Sequence, residues 1–270
     1  MPTLSQQDLD FFATNGYVIA PQVISPEQAA RTARAVWDFA AMDPDDPESW
    51  YPDPPRGIMV EIYHHQSQWD NRTAPRVYEA FCQIWDESRL WVSHDRASIN
   101  PPSRNPEAPE NNLHWDMNLD HRPISFGVQG VLYLTDTPAE QGAYDCVPGF
   151  HKRLEEWLDG LPAGSNPKDQ DLLALGTRRI GARAGDLIIW HKALPHTAAL
   201  NRGSGVRVAQ YITMNPAGED QSEEARQGRI SFWRDRLSGL GRYDKEREYH
   251  ESPTAELTPL GRQLAGVDPW

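Results

Sequence analysis

Leu187-Ile-Ile-Trp-His-Lys-Ala-Leu-Pro-His196 and Val206-Arg-Val-Ala-Gln-Tyr-Ile-Thr-Met214 are the two runs that decide how this chain folds. The first opens with four apolar residues directly after the turn signal Ala184-Gly185-Asp186, and the second alternates, so both read as strands. Outward from them, Phe126–Thr135 is apolar and alternating, and Arg179–Ala182, Leu90–Ile99 and Gly57–Tyr63 read as further short strands. Many short strands punctuated by turns predict an all-β sandwich or barrel. Helices flank it. Ser5 with Asp8 makes a capping pair and Gly16 ends the first helix. Tyr17–Ala20 is a short strand, and Ser25-Pro26 starts a second helix that carries Ala29, Ala33, Val36, Trp37 and Ala40 at helical spacing. Ala74–Glu87 reads as a helix, Leu154–Leu161 as a loop or short helix, and Ser222–Leu237 as a helix in a charged tail. Proline breaks up residues 43–55 and 101–112 into loops.

The chain has 270 residues, long enough for one large domain. The expected organisation is a single domain over 1–270, with helices at about 5–40, a core at about 90–215 and a tail from 217. A net charge of −13 argues against a phosphate-tracking nucleic-acid binder and against docking on anionic membrane. Two cysteines, Cys82 and Cys146, exclude a disulfide framework. Met1–Asp10 is polar and unlike a secretory signal, and no apolar run is long enough to cross a bilayer. The expectation is a soluble, cytoplasmic protein acting on a small molecule.

The sharpest chemical feature is His114-Trp115-Asp116. On a strand, residues i and i+2 share a face, so an imidazole and a carboxylate stand side by side. His196 follows 82 positions later, after the apolar run. Two histidines and one carboxylate are the facial triad of non-haem Fe(II) oxygenases, which leaves open positions for a bidentate co-substrate and O2. Arg207 lies 11 residues beyond His196. If the co-substrate is 2-oxoglutarate, its distal carboxylate needs a fixed cation, and a guanidinium offers a matching fork. Asn201 and Ser204, between the two, could add hydrogen bonds.

With those residues in place, the sequence resembles the phytanoyl-CoA dioxygenase family of Fe(II)/2-oxoglutarate oxygenases over about residues 5–215. The stretches that carry the resemblance are Asp8-Leu-Asp-Phe-Phe-Ala-Thr-Asn-Gly-Tyr-Val-Ile19, Ser25-Pro-Glu-Gln-Ala29, Gly130-Val-Leu-Tyr-Leu-Thr-Asp-Thr137, Gln141-Gly-Ala-Tyr-Asp-Cys-Val-Pro-Gly-Phe-His-Lys152 and Pro195-His-Thr-Ala-Ala-Leu-Asn201. Phe150 replaces a small hydroxyl residue of the family, and Ala198 a frequent serine. The resemblance implies a double-stranded β-helix, or jelly-roll, with flanking α-helices. It implies iron on His114, Asp116 and His196, with Arg207 on 2-oxoglutarate. An intact Asp116 favours hydroxylation over halogenation, where that carboxylate is replaced. By the same resemblance the strand carrying Gln129 lines the co-substrate pocket, and Tyr133 shares its phase.

Other candidates have plainer readings. His151 reads as a turn residue. His94 and Asp95 are adjacent on one predicted strand and so face opposite ways. His64 and His65 stand at a strand end, and His121 and His191 read as ordinary. Trp115 and Met117 point away from the ligands on an ideal strand and read as packing. Trp233 and Asp268-Pro-Trp270 read as docking contacts of the tail, and Cys146 as a buried thiol. Tryptophan and proline richness in loops 43–55 and 101–110 suggests a lid over a moderately apolar small molecule, testable at Trp50 and Trp69. Two rivals use the same ligands: a zinc-type metallohydrolase, which has no need of Arg207, and a non-catalytic metal-binding jelly-roll module.

Overall fold

The computed structural model describes residues 2–53, 57–105, 107–218, 222–237 and 253–270. Ser5 caps α1 (Gln6–Asn15) through a reciprocal box with Asp8, and Gly16 ends it at φ 77°, a left-handed conformation that favours glycine. β1 (Tyr17–Ala20) follows, then α2 (Pro26–Ala40), capped by Ser25 with proline at its start. β2 (Met59–Val60), α3 (Gln66–Arg72), α4 (Pro75–Trp85), β3 (Leu90–Val92) and β4 (Ala97–Asn100) lead into the core. That core continues with β5 (Val128–Tyr133), β6 (Tyr144–Cys146), α5 (Leu154–Asp159), β7 (Arg178–Ile180), β8 (Leu187–His191), β9 (His196–Ala198), β10 (Arg207–Tyr211) and β11 (Met214–Pro216). α6 (Glu223–Arg234) and a last short helix, Pro259–Leu264, lie in the tail. The predicted loop residues 54–55 and 106, and the tail residues 219–221 and 238–252, lie outside the described residues. Among the described residues, no helix is long and apolar enough to cross a membrane.

Two antiparallel sheets make the jelly-roll. The larger runs β1-β8-β5-β10-β4-β2, and the smaller runs β7-β6-β9. Alternation along the central strands sorts side chains into two cores. Val128 and Leu132 of β5, Leu187 and Ile189 of β8, and Val208 of β10 join the outer core with α2 and α4. Val131 and Tyr133, Ile188 and Trp190, and Ala209 face inward, toward the smaller sheet. The outer layer packs so closely that a Cβ on Gly130 would come within 2.5 Å of the Ile212 carbonyl oxygen.

Three predicted strands are cut shorter, each for a visible reason. Gly57–Tyr63 pairs only at Met59–Val60. Beyond that point side chains replace a strand partner: Gln68 donates to the Ile62 carbonyl and Arg72 to that of Tyr63. Leu90–Ile99 divides between two sheets, β3 pairing with β11 and β4 with β10. Arg72 also donates to the Asp95 carbonyl inside that break, so His94 and Asp95 lie in a link and not on a strand. Val206–Met214 divides in the same way into β10 and β11.

Trp233 donates to the Ala255 carbonyl and Trp270 to that of Leu90, so both dock the tail as expected.

Candidate metal centre and its pocket

His114 and His196 are brought together by a single antiparallel bridge at the edge of the smaller sheet, each backbone N–H donating to the other's carbonyl at 3.0 Å. Asp116, two residues on, swings its carboxylate between the imidazoles. Nε2 of His114 lies 3.5 Å from Oδ1, and Nε2 of His196 lies 3.4 Å from Oδ2. One donor atom from each residue falls within 4.8 Å of the others, the one such His/Cys/Asp/Glu group among the described residues.

The electrostatics suit a cation. Hydrogen bonding by His114 first, then by His196, with Gln129 assisting, holds the Asp116 carboxyl well below the usual carboxylate range despite its partial burial. His196 is buried, and its Nδ1 lies 3.0 Å from the Leu194 carbonyl oxygen. A carbonyl only accepts, so Nδ1 carries a proton, which leaves Nε2 as the ring atom that faces Asp116 and would bind a metal once its own proton is displaced.

The triad opens into a cavity of about 290 Å3. At its inner end Arg207 is buried, its carbon Cζ 5.2 Å from the centre of the Tyr133 ring. Among the described residues its Nε and Nη1 have no hydrogen-bond partner. A buried guanidinium with unmet donors is costly, and an anionic ligand reaching it would relieve that cost. Among the described residues the Tyr144 hydroxyl and the Trp190 indole N–H are also buried without hydrogen-bond partners, and both residues line the same cavity. Tyr144 stacks on His196 with ring centres 5.9 Å apart, and Trp190 lies 5.0 Å from it. These two residues link the Arg207 end to the triad, and the sequence reading missed both. Trp190 ends the apolar run and Tyr144 sits in the Gln141–Lys152 block, but nothing in either pattern marks a side chain that faces a ligand.

Three expected co-substrate contacts are placed differently. Gln129 lines the cavity, but its amide donates to Asp116 Oδ2 at 2.8 Å. The Tyr133 hydroxyl donates to the Ile180 carbonyl at 3.0 Å and accepts from the Tyr144 N–H at 2.7 Å, so its hydrogen-bonding capacity is taken up by backbone. Asn201 is fully buried in a turn. Its amide donates to the Asn100 and Gly205 carbonyls, and its oxygen accepts from the Gly203 N–H.

Among the described residues the other histidines do not line the cavity: His151 lies against Ala13, His65 caps α3 and His64 contacts Leu237. Trp115 is buried and donates to the Ala193 carbonyl. Burial pushes the Cys146 thiol up to about 12, as suits an inert thiol. Trp50 and Trp69 are not among the residues that line the cavity. Trp69 is buried beside His94, and Trp50 packs on Trp37.

Comparison with known proteins agrees with this arrangement. The sequence profile of the family described as Phytanoyl-CoA dioxygenase (PhyH) matches residues 12–209. A "Putative phytanoyl-CoA dioxygenase" of Dictyostelium discoideum is 26% identical over 259 residues, covering 77% of this chain and 74% of that protein. The fold is shared with GIG2 (DUF1479) from Candida albicans, at a TM-score of 0.74 and 16% identity over 99% of this chain and 77% of that one. It is also shared with EvdO2 from Micromonospora carbonacea var. aurantiaca, solved in complex with 2-oxoglutarate, at a TM-score of 0.54 and 18% identity over 83% and 98% of the two chains.

Proposed function

The chain belongs to the phytanoyl-CoA dioxygenase family and is an Fe(II)/2-oxoglutarate-type enzyme that uses O2, and from that premise we propose that it hydroxylates a C–H bond of a small-molecule substrate, releasing succinate and CO2. The observation that carries this reading is the pairing of the His114/Asp116/His196 cluster with an unsatisfied, buried Arg207 in one cavity. A metallohydrolase has use for the cluster and none for such a guanidinium. We read residues 1–270 as one oxygenase domain, since both ends of the chain pack onto the same core.

In this proposal His114, Asp116 and His196 hold the iron and Arg207 holds the distal carboxylate of 2-oxoglutarate. Bound there, the iron supplies the oxidising power for C–H hydroxylation, with 2-oxoglutarate and O2 as co-substrates. The protein does the rest by positioning. The Leu194 carbonyl fixes the His196 tautomer, Gln129 fixes the Asp116 carboxylate, and Arg207 sets the depth at which a dicarboxylate can sit. Tyr144 and Trp190 wall off bulk water beside His196 and offer hydrogen bonds to the co-substrate.

The test is Fe(II)-dependent conversion of 2-oxoglutarate to succinate by the purified chain, measured alongside O2 uptake. The reading expects slow substrate-free turnover that vanishes in His114→Ala. Absence of any Fe(II)-dependent succinate from the wild-type protein would overturn it.

A further inference from the structure

The substrate half of the cavity carries a carboxylate that the centre itself does not use. Asp95 lines the same cavity as Asp116 and is half-buried there. Its place relative to Arg207 follows from strand register. Along β10 the inward residues run Arg207, Ala209, Tyr211, and the Tyr211 N–H donates to the Arg96 carbonyl at 3.0 Å. Asp95 and Arg96 therefore stand at the opposite end of this strand from Arg207, four residues or about 13 Å away. The triad lies toward the Asp95 end: by register Gln129, which holds Asp116, stands level with Thr213, and it is the cross-strand partner of Trp190, which packs on His196. A molecule entering past Asp95 meets the metal side before it meets the co-substrate anchor.

The neighbouring cations are committed elsewhere. Arg96 directs Nη1 to Glu61 Oε1 at 2.7 Å, an ion pair that neutralises both. Arg72, fully buried behind the link, donates to the backbone carbonyls of Tyr63 and Asp95. The Asp95 carboxylate accepts the Arg96 backbone N–H at 2.8 Å, and among the described residues no basic side chain forms an ion pair with it. Burial pushes its carboxyl above the ordinary range, opposed by the Arg96 N–H and the charges of Arg96 and Arg72 and aided in small part by Asp116. Arg96 lines the cavity beside Asp95, with its guanidinium on Glu61, and the side chains of Ile58, Met59, Tyr211 and Thr213 on this side are uncharged.

We propose that Asp95 is the residue that selects the primary substrate, and that this substrate is a small molecule carrying a protonated amine. The inference rests on the oxygenase reading above. An ammonium supplies what the carboxylate lacks, a charge-assisted hydrogen bond in a partly desolvated site. The size limit follows from a cavity of about 290 Å3 that must also admit 2-oxoglutarate. The net charge of −13 favours approach of a cation over an anion.

The experiment compares n-pentylamine, n-pentanol and pentanoate as probes of one shape and three charges. Each is titrated into wild-type protein in the presence of Fe(II) and 2-oxoglutarate without O2, and binding is read by calorimetry. The same samples report 2-oxoglutarate binding through the visible absorption of its iron complex. The expected result is that the amine binds at least about tenfold tighter than the alcohol and that the carboxylate binds weakest. Asp95→Asn, which keeps the acceptor for the Arg96 N–H, should abolish the amine preference, and Asp95→Lys should shift it toward pentanoate. Equal binding of amine and alcohol, or tighter binding of pentanoate to wild-type protein, overturns the inference. An amine preference that persists in a folded Asp95→Asn variant overturns the assignment to Asp95. If the iron–2-oxoglutarate absorption never forms, the oxygenase reading fails, and this inference fails with it.

Discussion

Gln129 donates its side-chain amide to Oδ2 of Asp116 at 2.8 Å, tying the centre of the large sheet to the carboxylate of the candidate metal centre. Gln129 lines the cavity and also contacts the candidate ligand set, and we propose that it positions Asp116. Replacing it by leucine removes the bond while keeping the bulk. Fe(II) affinity should fall about tenfold to a hundredfold, the usual cost of losing a group that orients a ligand. An anaerobic Fe(II) titration of Gln129→Leu measures this, and an unchanged dissociation constant would deny Gln129 a positioning role.

Arg207 should respond in the opposite sense. Arg207→Lys keeps the charge and loses the planar fork, a poor exchange at a bidentate site. The affinity for 2-oxoglutarate should fall by roughly thirtyfold or more, while Fe(II) binding without 2-oxoglutarate stays near wild type. Equal loss of both affinities would mean that the substitution damages the fold.

Asn201 makes three side-chain hydrogen bonds, two within its own turn to Gly203 and Gly205 and one across to the Asn100 carbonyl of β4, so we expect its contribution to be to stability. Asn201→Ala should cost about 2–3 kcal/mol in urea unfolding, because two carbonyls and one N–H lose their partners. Affinity for 2-oxoglutarate should not change in the folded variant. Loss of that affinity with no loss of stability would restore the co-substrate role expected from sequence.

How far the sequence could be read follows from which forces were local. Ser5 with Asp8, Gly16, Ser25-Pro26 and the apolar run Leu187–Trp190 are local signals, and the structure places their elements where the residues demand. The grouping of His114, Asp116 and His196 was legible from the ordered set of His-x-Asp, a distant histidine and Arg207, although His114 makes only an isolated bridge and Asp116 lies in a bend rather than on the expected strand. α3 was not legible. Its sequence Gln-Ser-Gln-Trp-Asp-Asn-Arg is mostly polar, yet Gln68, Asn71 and Arg72 are buried because Gln210, Thr32 and backbone carbonyls satisfy them. The same long-range bonds broke the predicted strand at Asp95 and turned that residue toward the cavity. No periodicity reports contacts across more than twenty positions.

Buried neutral histidines predict acid sensitivity. Burial lowers His64 to about 4, and it also holds His94 well below its ordinary value. Phe232 of α6 packs on both rings, at 4.7 and 4.1 Å between centres. The unfolded chain, with histidines near 6.5, binds protons that the folded chain refuses. The stability present above pH 6.5 is therefore lost as pH falls toward 4, with His64 alone contributing a loss on the order of 2 kcal/mol by pH 5. Urea unfolding midpoints between pH 7 and 5 check this, and a flat profile would contradict it.

The central claim is that one cavity holds both the metal cluster and the anchor for 2-oxoglutarate. Anaerobic visible absorption of the purified protein with Fe(II) and 2-oxoglutarate tests it most directly, since chelation of the keto acid by iron gives a weak charge-transfer band. The account predicts that the band forms in wild-type protein, disappears in His196→Ala, and needs much more 2-oxoglutarate in Arg207→Lys. A wild-type protein that binds Fe(II) yet shows no band at saturating 2-oxoglutarate would contradict it.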